Sequence, residues 1–125
     1  MVDDLGIHDE VVQYLHQDFL AFEDLNKYDV IVMGEVLEHV EKPLEFLKKC
    51  KELMSDSGKC YISTCANAAE VDHIHLFRSS AEVESLILDV DFKIQEKIIL
   101  PYHGYSVDEC EELLLPMNMG YILSN

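Results

Sequence analysis

The chain has 125 residues, 49% of them hydrophobic, and a formal net charge of −16. This size predicts one domain, residues 1–125, with enough apolar residues for a core. The acidic excess argues against a nucleic-acid partner for this chain, because phosphate contacts need Lys and Arg. No run approaches the ~20 apolar residues of a membrane span, and the N-terminus lacks signal-peptide features. We therefore expect a cytoplasmic protein with no membrane partner.

The first third of the chain predicts two strands. Residues 11–19 (VVQYLHQDF) predict a short strand that ends at Asp18. Residues 28–33 (YDVIVM) form a nearly continuous apolar run, which is typical of a strand covered on both faces.

A helix and a third strand follow. Residues 43–54 have helical spacing of apolar positions, and Pro43 suits a first helical turn. Residues 55–58 (SDSG) are expected to end the helix, with Gly58 as a left-handed cap. Residues 59–64 (KCYIST) predict the next strand.

The last third predicts two more helix–strand pairs. Both helices open on a Ser-x-x-Glu capping box, at Ser79 and at Ser106. The first helix is expected over residues 79–90, followed by a strand over 91–100. The second stops before Pro116, and a last strand covers 119–124.

This alternation predicts an α/β fold with a largely parallel sheet and flanking helices. In such sheets the working groups lie on loops at the carboxyl ends of the strands. Three segments meet that condition here: Asp18–Phe19, Met33 to His39, and Ser63 to His75.

The four cysteines do not form a metal-binding pattern. They contain no CxxC pair, and the spacing of Cys60 and Cys65 does not suit a zinc knuckle. Each lies in or beside an apolar stretch. We interpret them as buried free thiols of a reducing compartment.

Three groups that bind metals or move protons follow the 28–33 strand directly. Glu35, Glu38 and His39 form an ExxEH pattern, and one helical turn would place them on the same face. Two carboxylates and an imidazole suit Mg, Mn or Zn. The alternative is scaffolding, because carboxylates are also favoured at a helix start.

Three stretches together resemble the class I S-adenosylmethionine (SAM)-dependent methyltransferases. They are YDVIVMGEVLEHVEKPLEFLKKCKELMSDSGKCYIST, DHIHLFRSSAEVESLI and DFKIQEKIIL. The resemblance extends over residues 11 to 124 and corresponds to strands 3 to 7 of the Rossmann-like family sheet. It implies SAM as the cofactor and methyl transfer to a small-molecule or other acceptor.

The resemblance also implies roles for individual residues. Asp18 would bond the adenine amino group and Phe19 would present its backbone amide to the ring. The wall along SAM would consist of Met33, Gly34 and Val36. The catalytic residues would be Glu38, His39 and His73. Related O-methyltransferases bind a divalent metal such as Mg through ExxEH and a later His, which implies the metal ligands Glu35, Glu38, His39 and His73.

The chain departs from the family in two respects. The glycine-rich loop that holds SAM is absent, since the five glycines are dispersed, and the first two family strands have no counterpart. We therefore expect the carboxyl-terminal part of a truncated domain, with an exposed sheet edge that a second copy or a partner chain covers. A non-catalytic regulatory module and a metal-dependent O-methyltransferase remain alternatives.

Overall fold

The computed structural model describes residues 12–125, which form one four-stranded sheet with three helices. The strands are β1 (Tyr28–Gly34), β2 (Met54–Ala66), β3 (Lys93–Leu100) and β4 (Met117–Ser124). The helices are α1 (Pro43–Leu53), α2 (Ser80–Asp89) and α3 (Val107–Leu113). Two short 3₁₀ turns lie at Phe19–Ala21 and Leu37–His39.

The strand order is β1-β2-β4-β3. β1 and β2 pair in parallel, whereas β4 lies between β2 and β3 and runs antiparallel to both. The predicted α/β fold is confirmed, but the expectation of a largely parallel sheet is wrong. Strand–helix alternation along the sequence does not fix where β4 enters the sheet, and its central position makes two of the three ladders antiparallel.

The predicted strand over residues 11–19 is wrong for the part that the structure describes. Residues 12–18 have no regular structure, and residue 11 lies outside the described residues. Asp18 caps the Phe19–Ala21 turn, where its carboxylate accepts a hydrogen bond from the Leu20 amide at 3.0 Å. Tyr14 is 76% exposed, so this segment lacks the sheet neighbour that a half-buried strand requires.

β2 is longer than predicted, because it begins directly at the end of α1. Met54 is already extended, so the expected left-handed cap at Gly58 does not form. Gly58 instead allows a close approach of the chain. An added Cβ there would lie 2.7 Å from Met54 Cγ and 3.0 Å from the Tyr28 carbonyl oxygen.

The core lies on one face of the sheet. Alternate residues of β2 and β4 point into it, among them the fully buried Ile62 and Tyr121, and α1 and α2 cover them. On the opposite face, Val30 and Val32 are each 67% exposed. The expectation that residues 28–33 are covered on both faces is therefore wrong within residues 12–125. The described helices include none long and apolar enough to cross a membrane.

Both predicted capping boxes mark true helix starts. At α3, Ser106 accepts from the Glu109 amide and the Glu109 side chain accepts from the Ser106 amide, so the box is complete. At α2, Ser79 accepts from the Glu82 amide, but the Glu82 carboxylate accepts from the Arg78 amide instead. Helix starts are thus among the features that local sequence predicts well.

Candidate functional site

The candidate site lies where the parallel strands β1 and β2 end side by side. The Glu35 amide donates to the Ser63 carbonyl at 3.0 Å and also lies 3.2 Å from the Ser63 hydroxyl. These bonds tie the turn after β1 to β2. Glu35 has φ +54, which turns the chain sharply out of the strand. The next residues therefore cross the carboxyl end of β2.

Glu38 is the buried carboxylate of the site, with only 1% of its surface exposed. The Leu37–His39 turn places it over β2, and the fully buried Leu37 anchors that turn in the core. Glu38 Oε2 accepts a hydrogen bond from Thr64 Oγ1 at 2.8 Å, and Oε1 lies 4.0 Å from Cys65 Sγ. Burial of a carboxylate costs free energy, and the hydrogen bond from Thr64 offsets part of that cost.

Two imidazoles lie beside Glu38. The rings of His39 and His73 meet edge to face, with their centroids 4.8 Å apart. His39 Nδ1 lies 2.9 Å from the Asp72 carbonyl oxygen, and His73 Nδ1 lies 2.6 Å from the Ala68 carbonyl oxygen. The segment between β2 and α2 thus folds back over the turn after β1.

The structure places the four predicted metal-ligating residues in two adjoining groups that share Glu38. Ligand atoms of Glu38, His39 and His73 lie within 4.8 Å of one another, and so do those of Glu35, Glu38 and Cys65. Opposite ligands of an octahedral Mg²⁺ lie about 4.2 Å apart. The ligand atoms within each group, at up to 4.8 Å, would therefore move only slightly to reach such an ion. Burial raises the pKa of the Cys65 thiol to about 11, which leaves it a neutral, poor ligand. The remaining carboxylates and imidazoles fit a hard or borderline cation.

The two carboxyl groups of the cluster have pKa values that shift in opposite directions. A hydrogen bond to Glu38, together with burial and repulsion from its charge, raises the pKa of Glu35 to about 7. Burial alone would raise the pKa of Glu38, but hydrogen bonds to Glu35 and from Thr64 lower it overall. Glu38 is therefore the ionised partner, and Glu35 changes its charge near neutral pH.

A cleft of about 410 Å³ lies next to this cluster. Four of the five predicted cofactor-binding residues line it, namely Phe19, Met33, Gly34 and Val36. Asp18 is not among the lining residues and acts as the cap of the Phe19 turn. The volume is within the range of small-molecule sites, and the walls are mainly apolar.

The cleft runs along the outer edge of β1. Ile31 and Val32 point to opposite faces of the sheet, yet both line it. Phe46 of α1 closes one side and stacks on Phe19, with ring centroids 5.5 Å apart. Phe46 was not predicted to line the cleft, because its helical position alone does not show that α1 reaches past the edge of β1.

Other residues of the site were also missed, or lie elsewhere than expected. His75 does not join His73: its ring packs on Phe77 at 4.5 Å and faces a separate groove. Thr64 and Cys65 contact the Glu38 carboxylate directly, and neither was predicted as a site residue. The signal available was their place at the end of a strand, in the segment from Ser63 to His75.

Comparison with known families identifies the class. A family model described as a methyltransferase domain matches residues 5–97, well over half of the chain. The chain therefore belongs to the methyltransferase domain family.

Curated relatives are similar over part of the chain only. The ubiquinone biosynthesis O-methyltransferase of Glaesserella parasuis serovar 5 (strain SH0165) is 39% identical over 57 residues, covering 43% of this chain and 24% of that protein. The enzyme of the same name from Vibrio campbellii (strain ATCC BAA-1116) is 41% identical over 44 residues, covering 35% and 19%. The matched segments thus span a quarter or less of these relatives.

Solved structures support the fold. A SAM-dependent methyltransferase from Clostridium acetobutylicum ATCC 824 superimposes with a TM-score of 0.70 at 8% identity, covering 98% of this chain and 67% of that one. An O-methyltransferase from Brevibacillus brevis, in complex with S-adenosyl-L-homocysteine, gives 0.71 at 12%, covering 99% and 52%. The [4+2]-cyclase SpnF gives 0.73 at 9%, covering 98% and 59%. Such identities show the fold alone, and a fold does not fix the reaction.

Proposed function

We propose that this chain is the carboxyl-terminal portion of a SAM-dependent methyltransferase that methylates a hydroxyl group of a small molecule. The observation that carries the proposal is the position of Glu35. Its neighbours Gly34 and Val36 line the cleft, while a ligand atom of Glu35 lies within 4.8 Å of one of Glu38, the residue that also meets His39 and His73. A methyl donor in the cleft and an acceptor at the cluster would therefore be adjacent, as direct transfer requires.

The cleft residues would hold the donor. Phe19 and Phe46 offer aromatic surfaces to a flat ring, and an added Cβ at Gly34 would have only Ser63 Oγ near it, at 3.7 Å. That open space lets a ligand approach the backbone closely. SAM, when bound, supplies the electrophilic methyl group.

The cluster would prepare the acceptor. Both imidazoles have Nδ1 directed at a backbone carbonyl, which leaves each Nε2 able to take a proton. Asp72 Oδ2 lies 3.6 Å from His39 Nδ1 and would stabilise the charged ring after proton uptake. His39 is therefore our first choice as the general base that turns a hydroxyl into a nucleophile.

A divalent cation at the cluster is a finer part of the same proposal. Glu35, Glu38, His39 and His73 would hold it, and it would lower the pKa of a bound hydroxyl. His39 would then bind the cation through Nε2 in place of acting as the general base, because that nitrogen has one lone pair. The names of the curated relatives, which are O-methyltransferases of ubiquinone biosynthesis, favour a hydroxyl acceptor on a small organic molecule.

S-adenosylhomocysteine titrated into ¹⁵N-labelled protein tests the donor site. We expect the Gly34 and Val36 amide signals to shift with a dissociation constant on the order of 1 mM, because no glycine-rich loop contributes. Gly34→Val should remove the Val36 shift by filling the cleft, and Gly34→Ala, whose single Cβ fits the free protein, is the matched control and should weaken the shift less. Absence of site-specific shifts would contradict the proposal, and micromolar binding would contradict an incomplete cofactor site.

A second candidate is a module that acts only with a partner strand. Within residues 12–125, β1 is an edge strand whose exposed Val30 and Val32 suit an interior position. The opposite edge, β3, is protected by a register irregularity between Ile94 and Glu96. Natural sheets protect their edges with such irregularities. We therefore infer that β1, and not β3, is the edge that pairs with another strand.

Sedimentation equilibrium tests the second candidate with the chain alone. We expect self-association through β1, which Val32→Lys should abolish by placing a charge in the new contact. Ile98→Lys, at a 57% exposed position of β3, is the matched control and should leave association unchanged. A monomer at all concentrations would exclude a second copy as the occupant, and loss of association in the control alone would place the contact elsewhere.

A further inference from the structure

The two ends of the segment between β2 and α2 are joined by hydrogen bonds from one residue, Asn67. We call residues 68–77 the histidine loop. The Asn67 amide donates to the Phe77 carbonyl at 2.8 Å, and Asn67 Nδ2 donates to the Arg78 carbonyl at 3.0 Å. Asn67, which precedes the loop, is thus hydrogen-bonded to the two residues at its other end.

The closed loop lies against the Leu37–His39 turn. The His75 amide donates to the Glu38 carbonyl at 3.0 Å. His39 Nδ1 lies 2.9 Å from the Asp72 carbonyl, and His73 Nδ1 lies 2.6 Å from the Ala68 carbonyl. A carbonyl oxygen only accepts, so both Nδ1 atoms must carry the proton. In each ring Nε2 is then the atom with a free lone pair.

Two features of Asn67 lower the stability of the folded chain, so stability alone does not explain why Asn is present at this position. It is 8% exposed, and within residues 12–125 its Oδ1 is the one buried side-chain oxygen or nitrogen without a hydrogen-bond partner. Its φ of +54 is also a conformation that L residues seldom adopt, although Asn tolerates it better than most. Both features cost free energy, and such costs are concentrated at functional positions.

We propose that Asn67 is a positioning residue that seats the histidine loop so that its backbone carbonyls hold His39 and His73 as the Nδ1–H tautomer. Each Nε2 is thereby available to accept a proton or to bind a cation. This inference rests on the proposed function only for the use made of Nε2. The tautomers themselves follow from the loop, whether or not the chain binds a methyl donor.

Long-range ¹H–¹⁵N correlation spectra of the imidazoles test the proposal. They are recorded at about pH 8.5, roughly two units above the ordinary imidazole pKa, so that the rings are neutral. We expect His39 and His73 to be predominantly Nδ1–H in the wild type. In Asn67→Gly the ratio of Nδ1–H to Nε2–H at His73 should fall about tenfold or more, toward that of the exposed His16 and His103.

Matched variants separate the side chain from the backbone. Gly suits the positive φ of Asn67, and Asp91→Gly, at φ +63 and away from the loop, controls for the glycine itself. Asn67→Asp keeps the size and the left-handed preference but loses the Nδ2–H donor, so it should shift the tautomers as Asn67→Gly does. Exchange of the His75 amide should also quicken about tenfold in both Asn67 variants.

Three results would overturn the inference. The first is Nε2–H as the main tautomer of either ring in the wild type. The second is an unchanged tautomer in a folded Asn67→Asp or Asn67→Gly protein. The third is an equal change in Asp91→Gly. A failed titration with S-adenosylhomocysteine would count against the proposed function and leave these three measurements unaffected.

Discussion

Replacing Glu38 by Gln is expected to weaken Mn²⁺ binding by at least about 100-fold, above the effect of losing an outer-sphere partner. Glu38 belongs to both groups of converging ligand atoms, so no other residue replaces it. Gln still accepts the Thr64 hydrogen bond through its carbonyl oxygen, so the fold should persist. Calorimetric titration with Mn²⁺ alone, on protein first treated with a chelator, measures the change.

Glu41→Gln is the control for this experiment. Glu41 is exposed, belongs to neither group of ligand atoms and loses the same formal charge. Equal Mn²⁺ affinity in the wild type, Glu38→Gln and Glu41→Gln would assign the cluster to scaffolding and remove the cation from the proposal. Equal weakening in both variants would indicate that net charge alone attracts the ion.

Replacing Glu35 by Gln is expected to make the metal-free protein more stable at alkaline pH. The pKa of Glu35 is about 7 in the folded state against an ordinary 4.5, so the folded chain binds a proton more tightly than the unfolded chain. Stability is then favoured below pH 4.5 and falls as the pH rises through 7. Gln mimics the protonated form, and its gain above pH 7 should be about 1 to 2 kcal/mol after a discount for solvent screening.

Urea unfolding at about pH 4 and at about pH 8.5, with a chelator present, checks this second prediction. The variant and the wild type should be equally stable at the lower pH, and the variant more stable at the higher pH. Glu41→Gln should show no such crossover. A Glu35→Gln protein that is less stable at the higher pH would mean that Glu35 and Glu38 do not oppose each other in the folded chain.

The local elements could largely be predicted from the sequence, because they depend on neighbours along the chain. The Ser79 and Ser106 caps, the apolar face of α1 and the run that forms β1 each lie within about a dozen residues. The strand expected at residues 11–19 failed for the opposite reason. A strand needs a ladder partner, and residues 12–18 have none in the sheet.

The sequence allowed us to name candidate site residues, but it did not show which of them contact one another. Glu35, Glu38 and His39 were recognisable because they follow a strand and carry ligand-type side chains. Their association with His73 depends on the histidine loop, which Asn67 closes. Asp72 of this loop contacts His39 although the two residues are 33 positions apart in the sequence. Thr64 and Cys65 become partners of Glu38 only because β1 and β2 end side by side.

The sequence by itself determined the α/β class, the helix starts and the segments that carry chemistry. These depend on hydrophobic periodicity, capping and side-chain type, which are local properties. Only the tertiary structure decided the place of β4 between β2 and β3, the exposed face of β1, and the contacts that bring Glu38 close to Glu35, His39 and His73. Those features depend on distances of a few ångströms between residues far apart in the chain, and on the burial that sets the strength of their interactions.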